Sequence, residues 1–135
     1  MNLELNGFAP LLTVFDMPAS VAFYRDILGF EVVETSKDRD GDDFGWGLLR
    51  RDGIEIMLNT AYDKSRRPPA QDPSRFAVHK DAALFFGCRD LDGAYAYFRS
   101  RAIDAEPPFT QSYGLRQLYV LDPDGYNICL QWPVS

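Results

Sequence analysis

Tyr119-Val-Leu-Asp-Pro-Asp-Gly-Tyr-Asn-Ile-Cys-Leu-Gln131 is the stretch on which the fold turns. Two apolar runs flank Asp122-Pro-Asp-Gly125, and a proline early with a glycine late in a short loop predicts a type I turn closed by a glycine at positive φ. The arms of the resulting β-hairpin are expected over Leu115 to Leu121 and Tyr126 to Trp132. In the second arm Tyr126, Ile128 and Leu130 share one face and Asn127, Cys129 and Gln131 the other, so the strand has an apolar side and a mixed side. The mixed side is where a site belongs.

Upstream, the same signals recur as an earlier copy. Asp16 leads to Ala22-Phe-Tyr-Arg25, and Asp90 leads to Ala96-Tyr-Phe-Arg99 at the identical offset of 74 residues. Gly53 precedes Ile54-Glu-Ile-Met57 much as Gly125 precedes Tyr126-Asn-Ile-Cys129. Each half therefore reads strand, helix, three strands, and the chain is a duplicated βαβββ unit, α+β in class. The first module, 8–60, places strands over Phe8 to Phe15, Phe30 to Ser36, Phe44 to Arg51 and Ile54 to Thr60. Its helix is capped by Asp16, carries Pro18 in the first turn and ends at Gly29. Val21, Tyr24 and Leu28 line one helix face, widened by Phe23 and Ile27, which asks for a sheet to lie on. The second module, 81–133, places strands at Ala83 to Arg89 and Glu106 to Thr110, a helix at Leu91 to Arg101, and the hairpin.

Between them, 61–80 reads as a linker loop with Pro68, Pro69 and Pro73. It holds His79, the chain's one histidine, expected to be a loop or surface residue. In 37–43, Asp38, Asp40 and Asp42 alternate as in a calcium loop. The glycine falls too early, however, and the twelfth position is Leu49, so a solvated turn is the better reading.

At 135 residues and 46% hydrophobic, the chain suffices for one domain, 1–135, with a real core. Fourteen basic residues against twenty acidic ones give a net charge of −6, which disfavours nucleic acid as a partner. No apolar run reaches membrane-spanning length, and nothing at the N-terminus reads as a signal peptide. The two cysteines, Cys88 and Cys129, fall in expected strands, so a reduced, cytoplasmic protein is expected.

A duplicated βαβββ unit with Asp16…Phe23-Tyr24…Leu28-Gly29-Phe30 in one half and Asp122-Pro-Asp-Gly125 in the other resembles the vicinal oxygen chelate superfamily, the glyoxalase, bleomycin-resistance and extradiol-dioxygenase group. The resemblance covers nearly the whole chain. It implies cupped, mostly antiparallel half-barrel sheets with helices on the outer face, paired across a homodimer. It also implies four ligand positions in metal-dependent members, seven residues before the helix-opening Asp and four after the hairpin glycine of each module. Those positions hold Ala9, Met57, Ala83 and Cys129. Three cannot bind a hard divalent ion and the fourth is a lone thiol, so neither metal nor other cofactor is expected.

A vacated centre of this kind would be a pocket lined by small and soft groups, with Leu11, Asn59, Phe85, Asn127 and Gln131 two residues along each strand. Phe44, Trp46, Tyr113, Tyr119 and Trp132 are candidate aromatic walls, and Arg116 a candidate polar group. The plain alternative is a filled core. Three functions compete. A metal-free binder of a small molecule, aromatic or cationic, leads. A metal-dependent lyase, isomerase or dioxygenase with an atypical site is disfavoured by Ala9, Ala83 and Cys129. A metal-free enzyme or sensor using Tyr119 or Arg116 lacks a nucleophile with a partnered base.

Overall fold

The computed structural model describes residues 2–134. The chain divides into two compact units, the first as far as Pro69 and the second from Ala70. Each is an open four-stranded mixed sheet with helix on one face, an α+β arrangement.

The first sheet runs in the order β1-β4-β3-β2, with β1 at Leu11–Val14, β2 at Glu31–Thr35, β3 at Trp46–Arg51 and β4 at Ile54–Thr60. β1 pairs parallel to β4, Leu11 beside Met57 and Thr13 beside Asn59, and the other two pairings are antiparallel. Alternation sends Leu12, Val14, Leu49, Ile56 and Leu58 to one side, where all are buried. Helix α1 (Met17–Val21) supplies Met17 and Val21 to this core. It starts where Asp16 accepts from the Ala19 amide at 3.3 Å, with Pro18 in the first turn.

The expected α-helix to Leu28 is corrected in its second half, because Ala22–Ile27 is a π-helical turn. The Leu28 amide reaches back five residues to Phe23 O at 3.0 Å. Phe23 and Tyr24 are both buried on this turn, their rings meeting edge to face at 5.1 Å. Gly29, at φ +80°, then ends the helix.

The second sheet runs β5-β8-β7-β6, with β5 at Ala83–Gly87, β6 at Phe109–Thr110, β7 at Leu115–Leu121 and β8 at Asn127–Pro133. Helix α3 (Leu91–Ser100) is capped by Asp90, which accepts from Gly93 N at 2.8 Å. Its Leu91 and Phe98 are buried, as are Leu118, Val120 and Ile128 of the sheet side it covers. The hairpin turn forms as read: Gly125 sits at φ +87°, and its amide donates to Asp122 O at 3.1 Å.

The stretch read as a linker loop is not all loop. Asp72-Pro73 is an N-cap followed by a first-turn proline, and helix α2 (Pro73–His79) starts there, with Ser74 N donating to Asp72 at 2.9 Å. The helix lies on the hairpin turn. Arg75 Nη1 donates to the buried Asp124 carboxylate at 2.5 Å, and Gln71 Nε2 donates to Pro123 O at 3.2 Å. His79 stacks on Tyr126 at 4.1 Å, with Nδ1 2.8 Å from Asp124 O. A carbonyl only accepts, so Nδ1 carries the proton. His79 is thus a clamp between helix and turn rather than a free loop residue.

Candidate functional site

Each sheet leaves the side away from its helix less covered, and most of the sequence-predicted site residues lie there. On the first sheet, register places Leu11, Met57 and Leu48 in one row and Thr13, Asn59 and Trp46 in the next. Leu11 is exposed, whereas Met57, Asn59 and Trp46 are half-buried. Ala9 precedes β1 and is also half-buried.

Pairing on the second sheet brings together Ala83, Asn127 and Leu121, then Phe85, Cys129 and Tyr119, then Gly87, Gln131 and Gln117. Cys129 is fully buried while Ala83 and Phe85 are exposed. Phe85 meets Tyr119 edge to face at 6.2 Å, and Tyr119 stacks at 6.3 Å on Phe109. Burial pushes up both the Tyr119 phenol and the Cys129 thiol; the bond between them raises the former further and partly offsets the rise in the latter. A thiol held protonated is a poor nucleophile, so Cys129 acts here as a small buried hydrophobe.

Three amides form a chain across this face. Gln111 Nε2 donates to Gln117 Oε1 at 3.0 Å, Gln117 Nε2 donates to Gln131 Oε1 at 3.0 Å, and the Tyr119 hydroxyl donates to Gln117 Oε1 at 3.2 Å. Gln117 is buried, and this chain satisfies it. Gln111, Gln117 and Phe109 were missed in the sequence. Gln117 was findable, because it stands two residues before Tyr119 on the same side of a strand. Phe109 and Gln111 follow two prolines and carry no periodic signal.

Three predicted residues go elsewhere. Arg116 points to the helix side, where both its terminal nitrogens bind Asp92 at 2.7 and 3.1 Å. Tyr113 stands in the turn before β7 and is exposed. Trp132, expected as a wall, starts from the helix-side position of β8 beside Arg116, with Arg89 over its ring at 5.0 Å and the ring edge beside Gly87. A cavity of about 320 Å³ opens beside Tyr119, Leu121 and Asn127, bounded by the 102–106 loop.

Candidate metal positions fare poorly on donor chemistry. Ala9, Met57 and Ala83 offer no hard donor, and among the described residues no cluster of three His, Cys, Asp or Glu side chains suits an ion. In 37–43 the carboxylates already have partners. Asp38 takes Ser36 Oγ and Gly45 N, Asp40 takes Lys64, Asp42 takes Arg25, and Asp43 takes Arg67. The side chains present do not fit the divalent centre of the family's metal-dependent members.

A pair of mixed four-stranded sheets, each a βαβββ module, with a helix on one side and an aromatic and amide-bearing face on the other, defines a glyoxalase-type fold. The chain belongs to the Glyoxalase/Bleomycin resistance protein/Dioxygenase superfamily, whose model matches residues 6–130. No curated protein sequence matches it. Among solved structures, it is similar to a glyoxalase/bleomycin resistance protein/dioxygenase from Nocardioides, at 20% identity and TM-score 0.74, covering 100% of this chain and 87% of that one. It is similar to a bleomycin resistance determinant encoded on the transposon Tn5, at 23% identity and TM-score 0.67, covering 97% and 100%. A bleomycin-binding protein complexed with bleomycin is similar at 23% identity and TM-score 0.66, covering 96% and 100%. No helix among the described residues is long and apolar enough to cross a membrane.

Proposed function

We propose that this protein holds a small organic molecule, aromatic or cationic, without a metal, in the manner of the superfamily's drug-binding members. One observation carries the reading: the four positions that hold ligands in metal-dependent members carry Ala9, Met57, Ala83 and Cys129. A bleomycin-binding protein complexed with bleomycin is similar in fold, which supports a small-molecule binding role. The second-sheet face adds aromatic surface and amide groups, the usual composition of a small-molecule site.

The test is native mass spectrometry of the purified protein for a copurified compound, with elemental analysis alongside. A bound organic molecule and no stoichiometric metal supports the reading. About one divalent ion per chain, with a melting temperature that falls on chelation, overturns it, since a ligand bound only to the native state raises stability by RT ln(1 + [L]/Kd).

The functional unit is proposed to be a homodimer. β1, β2, β5 and β6 are edge strands, and Leu3, Leu5 and Phe8 expose 76, 79 and 84% of their surface ahead of β1. Open edges and exposed apolar side chains are removed when copies pair. Light scattering at micromolar concentration checks this, and a monomer mass counts against it.

A further inference from the structure

The second-sheet face differs from the rest of the molecule in having no formal charge. Reading across its four strands, the side chains away from α3 include Phe85, Cys129, Tyr119, Gln131, Gln117 and Phe109, with Gly87 beside Gln131 and the uncharged Ala83, Asn127 and Leu121 one row beyond. The sheet's own cation, Arg116, is on the opposite side in a two-toothed pair with Asp92. A charge placed against this face would lose water without gaining a counter-ion, which is a steep cost. A neutral guest meets no such penalty.

The amide chain has a direction. Gln117 Oε1 receives both Gln111 and Tyr119, which leaves Gln117 Nε2 to donate to Gln131 Oε1. Gln131 thereby has its oxygen engaged, and among the described residues its Nε2 hydrogens meet no protein acceptor. An amide held this way presents a donor. On the β5 side its partner is Gly87, whose missing side chain leaves that flank to the edge of the Trp132 ring, an uncharged surface beside the donor.

An aromatic platform lies one step away. Phe85 is 50% exposed, and its ring is braced edge-on by Tyr119, itself stacked on Phe109. Phe85 pairs with Cys129, and Gln131 is two residues further along β8 on the same side. Strand spacing and rise make that diagonal about 8 Å, the span of a six-membered ring, a carbonyl attached to it and the hydrogen bond to the donor. Aromatic pairs favour offset stacking, which lays such a ring on Phe85 with its carbonyl toward Gln131.

We propose that this face selects an uncharged planar group bearing a hydrogen-bond acceptor, an aromatic carboxamide or its heteroaromatic equivalent, with the ring on Phe85 and the acceptor on Gln131 Nε2. The inference rests on the small-molecule reading above and narrows its ligand class from aromatic or cationic to aromatic and neutral. The competing place for a cation is the cavity beside Tyr119, where Asp104 and Glu106 stand in the wall.

Three probes of nearly one shape separate the cases: benzamide, neutral; benzamidinium, a cation; and benzoate, an anion. Each is titrated to about 10 mM, within the range expected for a fragment of this size, into the full chain with ¹⁵N-resolved NMR. Benzamide is expected to shift the Gln131 side-chain amide and the Phe85 and Cys129 backbone signals, and to bind about tenfold more tightly than either ion, as fits an uncharged face. Phe85→Ala, at a half-exposed position, removes the platform and the benzamide response. Gln131→Glu keeps an acceptor for Gln117 Nε2 but replaces the free donor with a carboxylate, and it should reverse the order so that benzamidinium leads. Benzamidinium leading on the parent protein, with shifts at Asp104 and Glu106, overturns the neutral assignment and leaves the binding reading standing. No response at the face to any of the three overturns the inference. The binding reading is decided separately by the copurified molecule.

Discussion

The late hairpin turns of the two modules share a glycine at nearly the same φ and meet opposite surroundings. Asp52-Gly53, at φ 49° and 83°, is exposed, and a Cβ added at Gly53 would find nothing within 4 Å. Asp122 to Gly125 is largely buried. Asp122 Oδ1 accepts from Asp124 N and Tyr126 N, both at 2.9 Å, and a Cβ at Gly125 would stand 2.2 Å from Phe76 O of α2. A turn signal in the sequence thus sets the backbone in both copies, but how much stability it carries depends on what packs over it. In the second copy that is the helix from the stretch between the modules.

The sharpest way to break this comparison is the ion pair under α2. Arg75→Ala leaves the Asp124 carboxylate, 1% exposed, without its cation, and is expected to cost about 3–5 kcal/mol. Its counterpart on the first hairpin is Arg50–Glu55, exposed, where Arg50→Ala should cost at most about 1 kcal/mol. Chemical denaturation of both variants checks the contrast, and equal losses would remove α2 as the cause.

Next in size is the glycine pair. Gly125→Ala combines left-handed strain with a backbone clash that must displace α2, and a loss of about 2–4 kcal/mol is expected. Gly53→Ala carries strain alone, about 1–2 kcal/mol. Thermal melts of the two variants side by side measure the clash by difference.

A smaller effect separates pocket from core on the second sheet. Ala83 is exposed, so Ala83→Trp should change stability by no more than about 0.5 kcal/mol while blocking ligand. A loss of about 1–3 kcal/mol would mean a close-packed core there instead.

The smallest effect is acid sensitivity of the first module's 37–43 loop. Hydrogen bonds from Arg25 hold the Asp42 carboxyl below its ordinary 3.8, and Ser36 and the Gly45 amide do the same for Asp38. A lowered carboxyl contributes stability that is fully present above the ordinary value and is lost as pH falls through the folded one. Loop amides should therefore exchange faster as pH drops from about 4 toward 2, after correction for intrinsic rates. The exposed Asp52-Gly53 turn serves as the internal control, and equal acceleration at both would dismiss the carboxyl ties.

Much of this was legible residue by residue. Asp16 and Asp90 cap helices, Gly29 and Gly125 take positive φ, and Asn127, Cys129 and Gln131 share a side, because caps, left-handed glycines and strand alternation are local rules. Asp72-Pro73 carries a helix start too, but Pro68, Pro69 and Pro73 among polar residues read as loop. The amide chain was harder. It joins Gln111, Gln117 and Gln131 from three separate segments, and no spacing in one strand announces it.

The sequence by itself determined the duplicated βαβββ plan, both hairpin turns and the absence of hard metal donors at Ala9, Met57 and Ala83, since each depends on residue types at short spacings. Tertiary structure alone decided that the Ala22–Ile27 turn is π-helical, that Arg116 turns to Asp92, and that α2 clamps Asp124 and Tyr126. It also decided which end of the amide chain offers a free donor. These outcomes turn on which groups are brought within 3 to 4 Å by the folding of distant segments, and hydrogen bonding and packing act only at that range.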